Sequence, residues 1–351
     1  MKQSLLAGLM LAALAPIAAH AAAPTTLNPD TETSRVDWSQ LSAKFGPAPD
    51  MHGARFGVVL KTLTNEYWRL LADGYRKGAA ATKVGIDIQA AQSESDQMGQ
   101  LSIMENMVGP QYKGILISPQ TDANLQPAID SAVDAHLPVI DVDDAVVGSI
   151  AHFVGNVQRE NGVRVAKWFI QHYPNGGEVA IVEGQAGVFA AVQRSAGFRD
   201  TMTAAKGFKV VASVPGNWDR QQSYDAATNI LQRNPNVIGI YCNNDTMALG
   251  VVEAVKAANL QNKVKVFGTD GTNDAYVSIK AGELAGTVDS FPVLTGEIAL
   301  DVIERLALGQ PIPRVVATPQ ALVTAENMAR YKGGSEESQR QALIQDAAGE
   351  H

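Results

Sequence analysis

Carboxylates, amides, cations and aromatics recur in this sequence at one kind of place, immediately after short apolar runs. Lys61 to Trp68 follows the run Phe56 to Leu60, and Asp143-Asp144 follows Val139 to Val142. Gly184 to Arg194 follows Glu178 to Val182, and Trp218-Asp219 comes shortly after Lys209 to Val214. Asn243 to Asp245 follows Val237 to Tyr241, and Thr269-Asp270 follows Lys265 to Gly268. The set lacks a nucleophile–base pair and a cluster of metal ligands, and His20, His152 and His172 are scattered. Its chemistry is that of holding a ligand rich in hydroxyls. Carboxylates accept from hydroxyls, Asn amides both donate and accept, and Lys or Arg donate, each charge-assisted bond contributing about 1.5–3 kcal/mol when dry. Tryptophan and tyrosine rings cover the C–H faces of such a ligand and exclude water.

Several of these residues have a plainer reading. Trp68 could face the core at the start of its helix, but it shares a strand–helix turn with Asn65 and Tyr67. Trp218 follows Gly216-Asn217 on a loop, where a large aromatic is poorly buried unless it covers something. Asp143 could cap the next turn. Of Asn244 and Asp245, which precede a helix at Met247, Asp245 is assigned to the N-cap and Asn244 to the ligand. Asp270 sits in a Gly-Thr-Asp-Gly turn and is assigned to the ligand. Trp168, on a helix, is assigned to the core, and Cys242 reads as a small buried hydrophobe.

The elements that position these residues alternate. Ten short apolar runs form two series of five. The first is Phe56 to Leu60, Ile86 to Ala90, Gly114 to Ile117, Val139 to Val142 and His152 to Val154. The second is Glu178 to Val182, Lys209 to Val214, Val237 to Tyr241, Lys265 to Gly268 and Gly286 to Asp289. Amphipathic stretches of helical length separate them, such as Tyr67 to Ala81, Gln97 to Val108 and Asn161 to Tyr173. Strand–helix alternation predicts α/β architecture with parallel sheets covered on both faces, and two series predict two lobes. In such sheets ligands bind beyond the carboxyl ends of the strands, where the polar residues stand.

The remaining segments are read by composition. Lys2, the apolar stretch Leu5 to Ala19 and the Ala19-His20-Ala21 site predict an export signal cleaved after Ala21, and hence a periplasmic protein. Residues 22–54 lack periodicity and form an extension, whose apolar residues Val36, Trp38, Leu41 and Phe45 could clip it to a lobe surface. Residues 333–351 are polar and predict a loose helix or disorder. The net charge of −8 argues against nucleic acid as a partner, and one cysteine leaves no internal disulfide.

Five motifs make the sequence recognisable: VVLKTLTNEYW from Val58, GGEVAIVEGQAG from Gly176, NWDR from Asn217, LQRNPNVIGIYCNNDTMALG from Leu231 and VFGTDGTND from Val266. With them the chain resembles, over roughly 55–322, the ribose/allose branch of the periplasmic sugar-binding proteins, and its allose type in particular. The resemblance implies two doubly wound parallel-sheet lobes joined by a three-crossing hinge. It implies an N-lobe of 55–156 plus 291–319 and a C-lobe of 157–290 plus 320–332. It implies binding roles for Lys61, Asn65, Tyr67, Trp68, Asp143, Arg194, Trp218, Asn244 and Asp270. Asp144 and Ser290 join the candidates at positions where the ribose type has arginine and glutamine. Val188 and Phe189 stand where small polar residues are usual. The implied protein is a monomer without cofactor or metal, which hands a small neutral sugar or polyol to the membrane permease of an ABC importer.

Two other classes compete. A sensory receptor of autoinducer-2 type, docking on a chemoreceptor or sensor kinase, would give the extension a use, but its site would be expected to hold more arginine than Arg194. An enzyme would need a motif that is missing. No G-x-G-x-x-G follows the first strand, and neither G-x-S-x-G nor H-E-x-x-H occurs. A repressor with these lobes needs a helix-turn-helix ahead of them, where the export signal stands instead.

Overall fold

A computed structural model describes residues 26–349. The export signal and its cleavage site lie outside the described residues. Within them the chain runs β1 (Arg35–Asp37), α1 (Leu41–Phe45), β2 (Arg55–Leu60), α2 (Glu66–Thr82), β3 (Gly85–Ala90), α3 (Gln97–Met107), β4 (Ile115–Ile117), α4 (Gln126–Asp134), β5 (Val139–Val142) and β6 (His152–Gly155). It continues through α5 (Gln158–His172), β7 (Gly177–Glu183), α6 (Phe189–Ala204), β8 (Phe208–Pro215), α7 (Arg220–Arg233), β9 (Val237–Cys242), α8 (Asp245–Ala257), β10 (Lys265–Asp270), α9 (Asn273–Lys280) and β11 (Gly286–Asp289). It closes with α10 (Pro292–Ala307), β12 (Val315–Ala317), β13 (Ala321–Thr324), α11 (Met328–Lys332) and α12 (Glu336–Gly349).

The strands form two sheets, because runs such as Phe56 to Leu60 and Val179 to Val182 are buried throughout and need helices on both faces. The first sheet has the order β1-β12-β6-β5-β4-β2-β3 and is parallel throughout. The second has the order β13-β11-β10-β9-β7-β8, parallel except for the β11–β13 pair. Each sheet reverses direction once, β2 lying between β3 and β4, and β7 between β8 and β9. Those reversals are the places where a crevice opens at the carboxyl edge of a doubly wound sheet. The chain passes between the sheets three times: after β6, after β11 and between β12 and β13.

All ten predicted strands are present, and three short ones join them. Two, β12 and β13, flank the last crossing, β12 inside the first sheet and β13 at the edge of the second. The third, β1, comes from the extension and pairs with β12, Arg35 to Val315 and Val36 to Val316. Val36, Trp38 and Leu41 are buried in the cluster that α2 and α10 share, so the extension is woven into the first lobe rather than resting on it. In the terminal segment, where a loose helix or disorder is expected, a helix forms and packs. Helix α12 puts Leu343 into the same cluster. It is held by ion pairs from Lys77 to Glu336 and from Arg340 to Glu297, and by Arg340 over the Trp38 ring. Beside alanines, α12 has only Leu343 and Ile344, too few to produce a periodic signal, yet they suffice once Trp38 supplies a surface.

Against α2, helix α10 buries Glu304. Its Oε1 accepts from the Thr82 hydroxyl at 2.8 Å, while Oε2 has no protein partner. Burial pushes this carboxyl up to about 7. Between the ordinary glutamate range and that value, the folded state keeps a proton that the unfolded chain releases, so stability falls as pH rises through the window. Glu304→Gln should therefore show a flatter dependence of Tm on pH between about 5 and about 8 than the wild type. Parallel melting curves would show Glu304 to be fully ionised in the fold.

Candidate ligand-binding site

The carboxyl ends of both sheets face one another across a small space of about 20 Å³, far below the roughly 300–1,000 Å³ of most small-molecule sites. Asn65, Tyr67, Trp68, Glu94, Asp143, Asp144, Arg194, Trp218, Asn244 and Asp270 line it. Nine of these ten were singled out from sequence. Two other candidates do not bound the space. Lys61 lies behind it, buried, donating to Asp144 and 5.5 Å above the Trp68 ring. Ser290 is buried after β11, with a hydroxyl that has no protein partner.

The first lobe supplies the aromatic wall. Asn65 caps α2 through a 3.0 Å bond from the Tyr67 amide, which fixes the two rings that follow. Tyr67 and Trp68 pack edge to face with centroids 4.9 Å apart. The Tyr67 hydroxyl donates to Asp143. The Trp68 indole N–H donates to Glu94 at 2.9 Å, and the Asn65 amide does so at 3.2 Å. Glu94 was missed from sequence. It stands in the loop after β3, one of the first-series strand ends at which the sequence singles out no candidate.

The second lobe supplies the guanidinium, a second ring and a carboxylate. Arg194 lies on α6, which is drawn against α5 by Gly162 and Gly197. A Cβ on either would stand 2.1 Å from the opposite helix's backbone. Its Nη1 donates to the Asn243 carbonyl at 2.7 Å and approaches Asp270 at 3.7 Å. The Trp218 ring packs so closely over the end of β7 that a Cβ on Gly184 would come within 2.1 Å of it. Trp218 Nε1 and Asp144 Oδ1 are buried without protein partners.

One assignment is reversed. Asn244, not Asp245, is the N-cap of α8, accepting from the Met247 amide at 2.9 Å, although it also lines the space. Asp245 points the other way, accepting from the Gly271 and Thr272 amides and from the Thr287 hydroxyl. Those partners are distant in sequence and tie α8 to the turn that carries Asp270.

Backbone strain collects here. Asp143, Asp144, Trp218 and Asp270 have φ of 58°, 73°, 63° and 137°. Such conformations cost on the order of 1–3 kcal/mol each, persist only where surroundings impose them, and cluster at functional sites. A tryptophan with positive φ is unusual even for a turn.

Electrostatics divide the site unevenly. Two cations, Lys61 and Arg194, face four carboxylates, Glu94, Asp143, Asp144 and Asp270. Burial raises the carboxyls of Asp143 and Glu94 above their usual range, against the pull of Arg194 and Lys61 respectively. Asp270 is raised further, by burial and then by repulsion from Asp245. These groups gain when hydroxyls donate to them, and an anion placed among them would be repelled.

The two lobes are in contact around the space. The Ala190 amide donates to the Asp144 carbonyl at 3.0 Å, and Glu66 accepts from the Asn273 and Asp274 amides at 3.2 Å. Phe189 reaches from α6 onto the apolar cluster of the first lobe, which gives a use to one of the large residues in the Val188-Phe189 pair. Among the described residues no group of His, Cys, Asp and Glu is arranged to hold a metal, and no helix is long and apolar enough to cross a membrane.

Comparison with known proteins agrees with this geometry. Residues 56–311 match the periplasmic binding protein domain. The D-allose-binding periplasmic protein of Escherichia coli is 36% identical over 270 residues, covering 74% of this chain and 87% of that protein. The D-ribose/D-allose-binding protein of Pseudomonas aeruginosa is 31% identical over 81% of this chain and 92% of its own length. Among solved structures, an ABC transporter periplasmic solute-binding protein from Actinobacillus succinogenes, with bound D-allose, superposes with a TM-score of 0.76 at 30% identity, covering 79% of this chain and all of the other. With its two doubly wound lobes, three crossings and polar strand ends, the chain belongs to the periplasmic binding protein family, in the branch of the ribose- and allose-binding proteins.

Proposed function

We propose that this protein is an exported receptor, without catalytic activity, that encloses one neutral sugar or cyclic polyol between its lobes and presents it to the permease of an ABC importer. The observation that carries the reading is the excess of buried carboxylates over cations in a space walled by Tyr67, Trp68 and Trp218. Such a site rewards many hydroxyl donors and two C–H faces, and it penalises phosphates and acids. The sugars and polyols named for relatives, allose, ribose and myo-inositol, are of this kind. In this reading Lys61 positions Asp144, while Asp270, Asp143 and Glu94 accept from the ligand and Arg194 and Asn244 donate to it. Maturation by cleavage after Ala21 belongs to the same reading. The intact mass of the protein from a periplasmic extract should lack residues 1–21, and an unprocessed Met1 terminus would contradict export by this signal.

A thermal-shift screen on the ligand-free protein tests the function, since a ligand that binds only the fold must raise Tm. Neutral pentoses, hexoses or cyclic polyols should include the largest shift; a larger one from sugar phosphates, sugar acids or amino acids would overturn the reading. With the best ligand, Asp270→Ala should lose at least about tenfold in affinity by calorimetry, the loss of one or two charge-assisted bonds. Trp218→Ala should lose a comparable amount. Trp168→Ala is the control, because that ring stacks on His172 and packs against Phe267, away from the site. It should lower stability, by less than the roughly 3–5 kcal/mol of a fully buried tryptophan, and leave affinity unchanged.

A separate variant examines the ring's seat. Gly184→Ala places a methyl where the Trp218 ring lies, 2.1 Å from its nearest atom. The ring must shift, so affinity should fall as it does for Trp218→Ala. Wild-type affinity in Gly184→Ala would mean that the position of the ring does not matter to the ligand.

A further inference from the structure

Helix α5 starts without a side-chain cap of its own. The residue at its N-cap is Val157, whose side chain cannot accept a hydrogen bond. Yet the first three amides after the crossing are all satisfied, each from another segment. The Val157 amide donates to Gln320, on the crossing between β12 and β13, at 2.9 Å. The Gln158 and Arg159 amides donate to the two carboxylate oxygens of Asp30, at 2.9 and 2.8 Å. Asp30 belongs to the amino-terminal extension.

The extension is anchored to the first lobe on both sides of that aspartate. Before it, Leu27 is buried in the apolar cluster with Val146, Val147 and Ile150. After it, Glu32 pairs with Arg314 at 2.9 Å, and β1 joins the sheet. Asp30 itself sits in a turn in which the Thr31 and Glu32 amides return to the Asn28 carbonyl, so its carboxylate is held in place. It therefore reaches from the first lobe to the first turn of a helix that packs in the second.

The residue so fixed is Gln158, and its side chain joins two residues that line the site, one from each lobe. Its amide nitrogen donates to Asp143, from the first lobe, and its carbonyl oxygen accepts from Arg194 Nε, from the second, at 2.8 Å. Asn161 donates to the same oxygen at 3.2 Å. With every polar atom of the Gln158 amide directed by a partner, a change in where α5 begins moves Asp143 and Arg194 relative to each other.

We propose that Gln158 and Asp30 are positioning residues for the ligand site: Gln158 sets the Asp143–Arg194 geometry across the lobes, and Asp30 sets Gln158 by capping α5 from the extension. The inference rests on the sugar-binding reading for its affinity readout. Asp30→Ala leaves two amides at the hinge without their acceptor, which should weaken sugar binding by about fivefold, the size of losing a helix cap. Asp30→Asn keeps one acceptor and should fall between wild type and Asp30→Ala, and it stands in if the alanine variant does not fold. Glu32→Ala breaks a different attachment of the same segment and does not touch α5, so it should lower Tm while leaving affinity within about twofold of wild type.

Calorimetry on the mature protein and these variants, with Gln158→Ala and the double variant Asp30→Ala/Gln158→Ala, decides the matter. If Asp30 acts through Gln158, the double variant binds no more weakly than Gln158→Ala alone. Additive losses would overturn the proposal, as would Tm shifts in Asp30→Ala and Glu32→Ala with unchanged affinity in both. If no sugar or polyol binds the wild type, the sugar-binding reading fails, and hydrogen exchange judges the strap separately. Faster exchange at the first turn of α5 in Asp30→Ala than in Glu32→Ala supports it, and equal exchange refutes it.

Discussion

A guanidinium buried between two lobes must be compensated from both, and Arg194 is such a group. It is 3% exposed, and taking a charge that far out of water costs several kcal/mol unless counter-charges and hydrogen bonds surround it. Burial disfavours its charge, but Asp270, Asp143 and Asp144 together hold it ionised. Asp270 comes from the second sheet, while Asp143 and Asp144 come from the first, so the charge is balanced only when the lobes face each other as they do. The carboxylates depend on the arrangement in turn. Each lies at the end of a buried parallel strand, and burial raises the carboxyls of Asp143 and Asp270. Ligand hydroxyls enter that balance as additional donors. On the proposed function, a ligand that brings donors without charge leaves the Arg194 compensation intact, whereas an anion would upset it.

The strain at the strand ends follows from the same demand. A parallel strand delivers its last side chain along the sheet direction, but the site needs carboxylates and rings turned into the crevice. Left-handed conformations at Asp143, Asp144 and Trp218 make that turn within one or two residues. Aspartate tolerates such conformations better than tryptophan does. The indole is kept there by Gly184 beneath it and by the second lobe's apolar cluster around it. The strain is thus compensated on the protein side before any ligand arrives, consistent with a site whose shape is set in advance.

How far the sequence revealed this arrangement depends on what each residue packs against. The ten main strands are legible because fully buried parallel strands are continuous apolar runs, and their ends point to nine of the ten side chains around the crevice. The strand Arg35–Asp37 is not legible, since it has three residues, one of them apolar, and pairs only with a strand 280 positions away. The docking of helix α12 is hidden for a related reason: beside alanines it has only Leu343 and Ile344, which make no stripe. Asn244 and Asp245 are both good caps, and local pattern could not choose between them. The choice is made by Thr287 and the Gly271-Thr272 turn, which claim Asp245 from 26 to 42 positions away. Glu94 and Gln158 carry no motif. Only the fold reveals that one meets Trp68 and the other spans Asp143 and Arg194.

The hinge is where these long-range contacts concentrate. A bilobal binding protein needs crossings that bend, and bending is easiest where backbone amides can exchange partners with water. In this chain the first crossing has little such freedom. Its amides are taken by Gln320 from a second crossing and by Asp30 from the extension, and Gln320 also donates to the Val157 carbonyl and to Asn161. Opening the lobes by rotation at Val157 would have to break or carry along these bonds. Rotation is less constrained at the far side of the crevice, where Glu66 meets the Asn273 and Asp274 amides through longer 3.2 Å bonds near the surface. The distribution of contacts therefore favours an opening in which α5 and the extension move little while the α2 and α9 ends separate. On the proposed function, such an opening would pivot close to Gln158 and part the lobes most beside Asn65 and Trp68, whose side chains donate to Glu94.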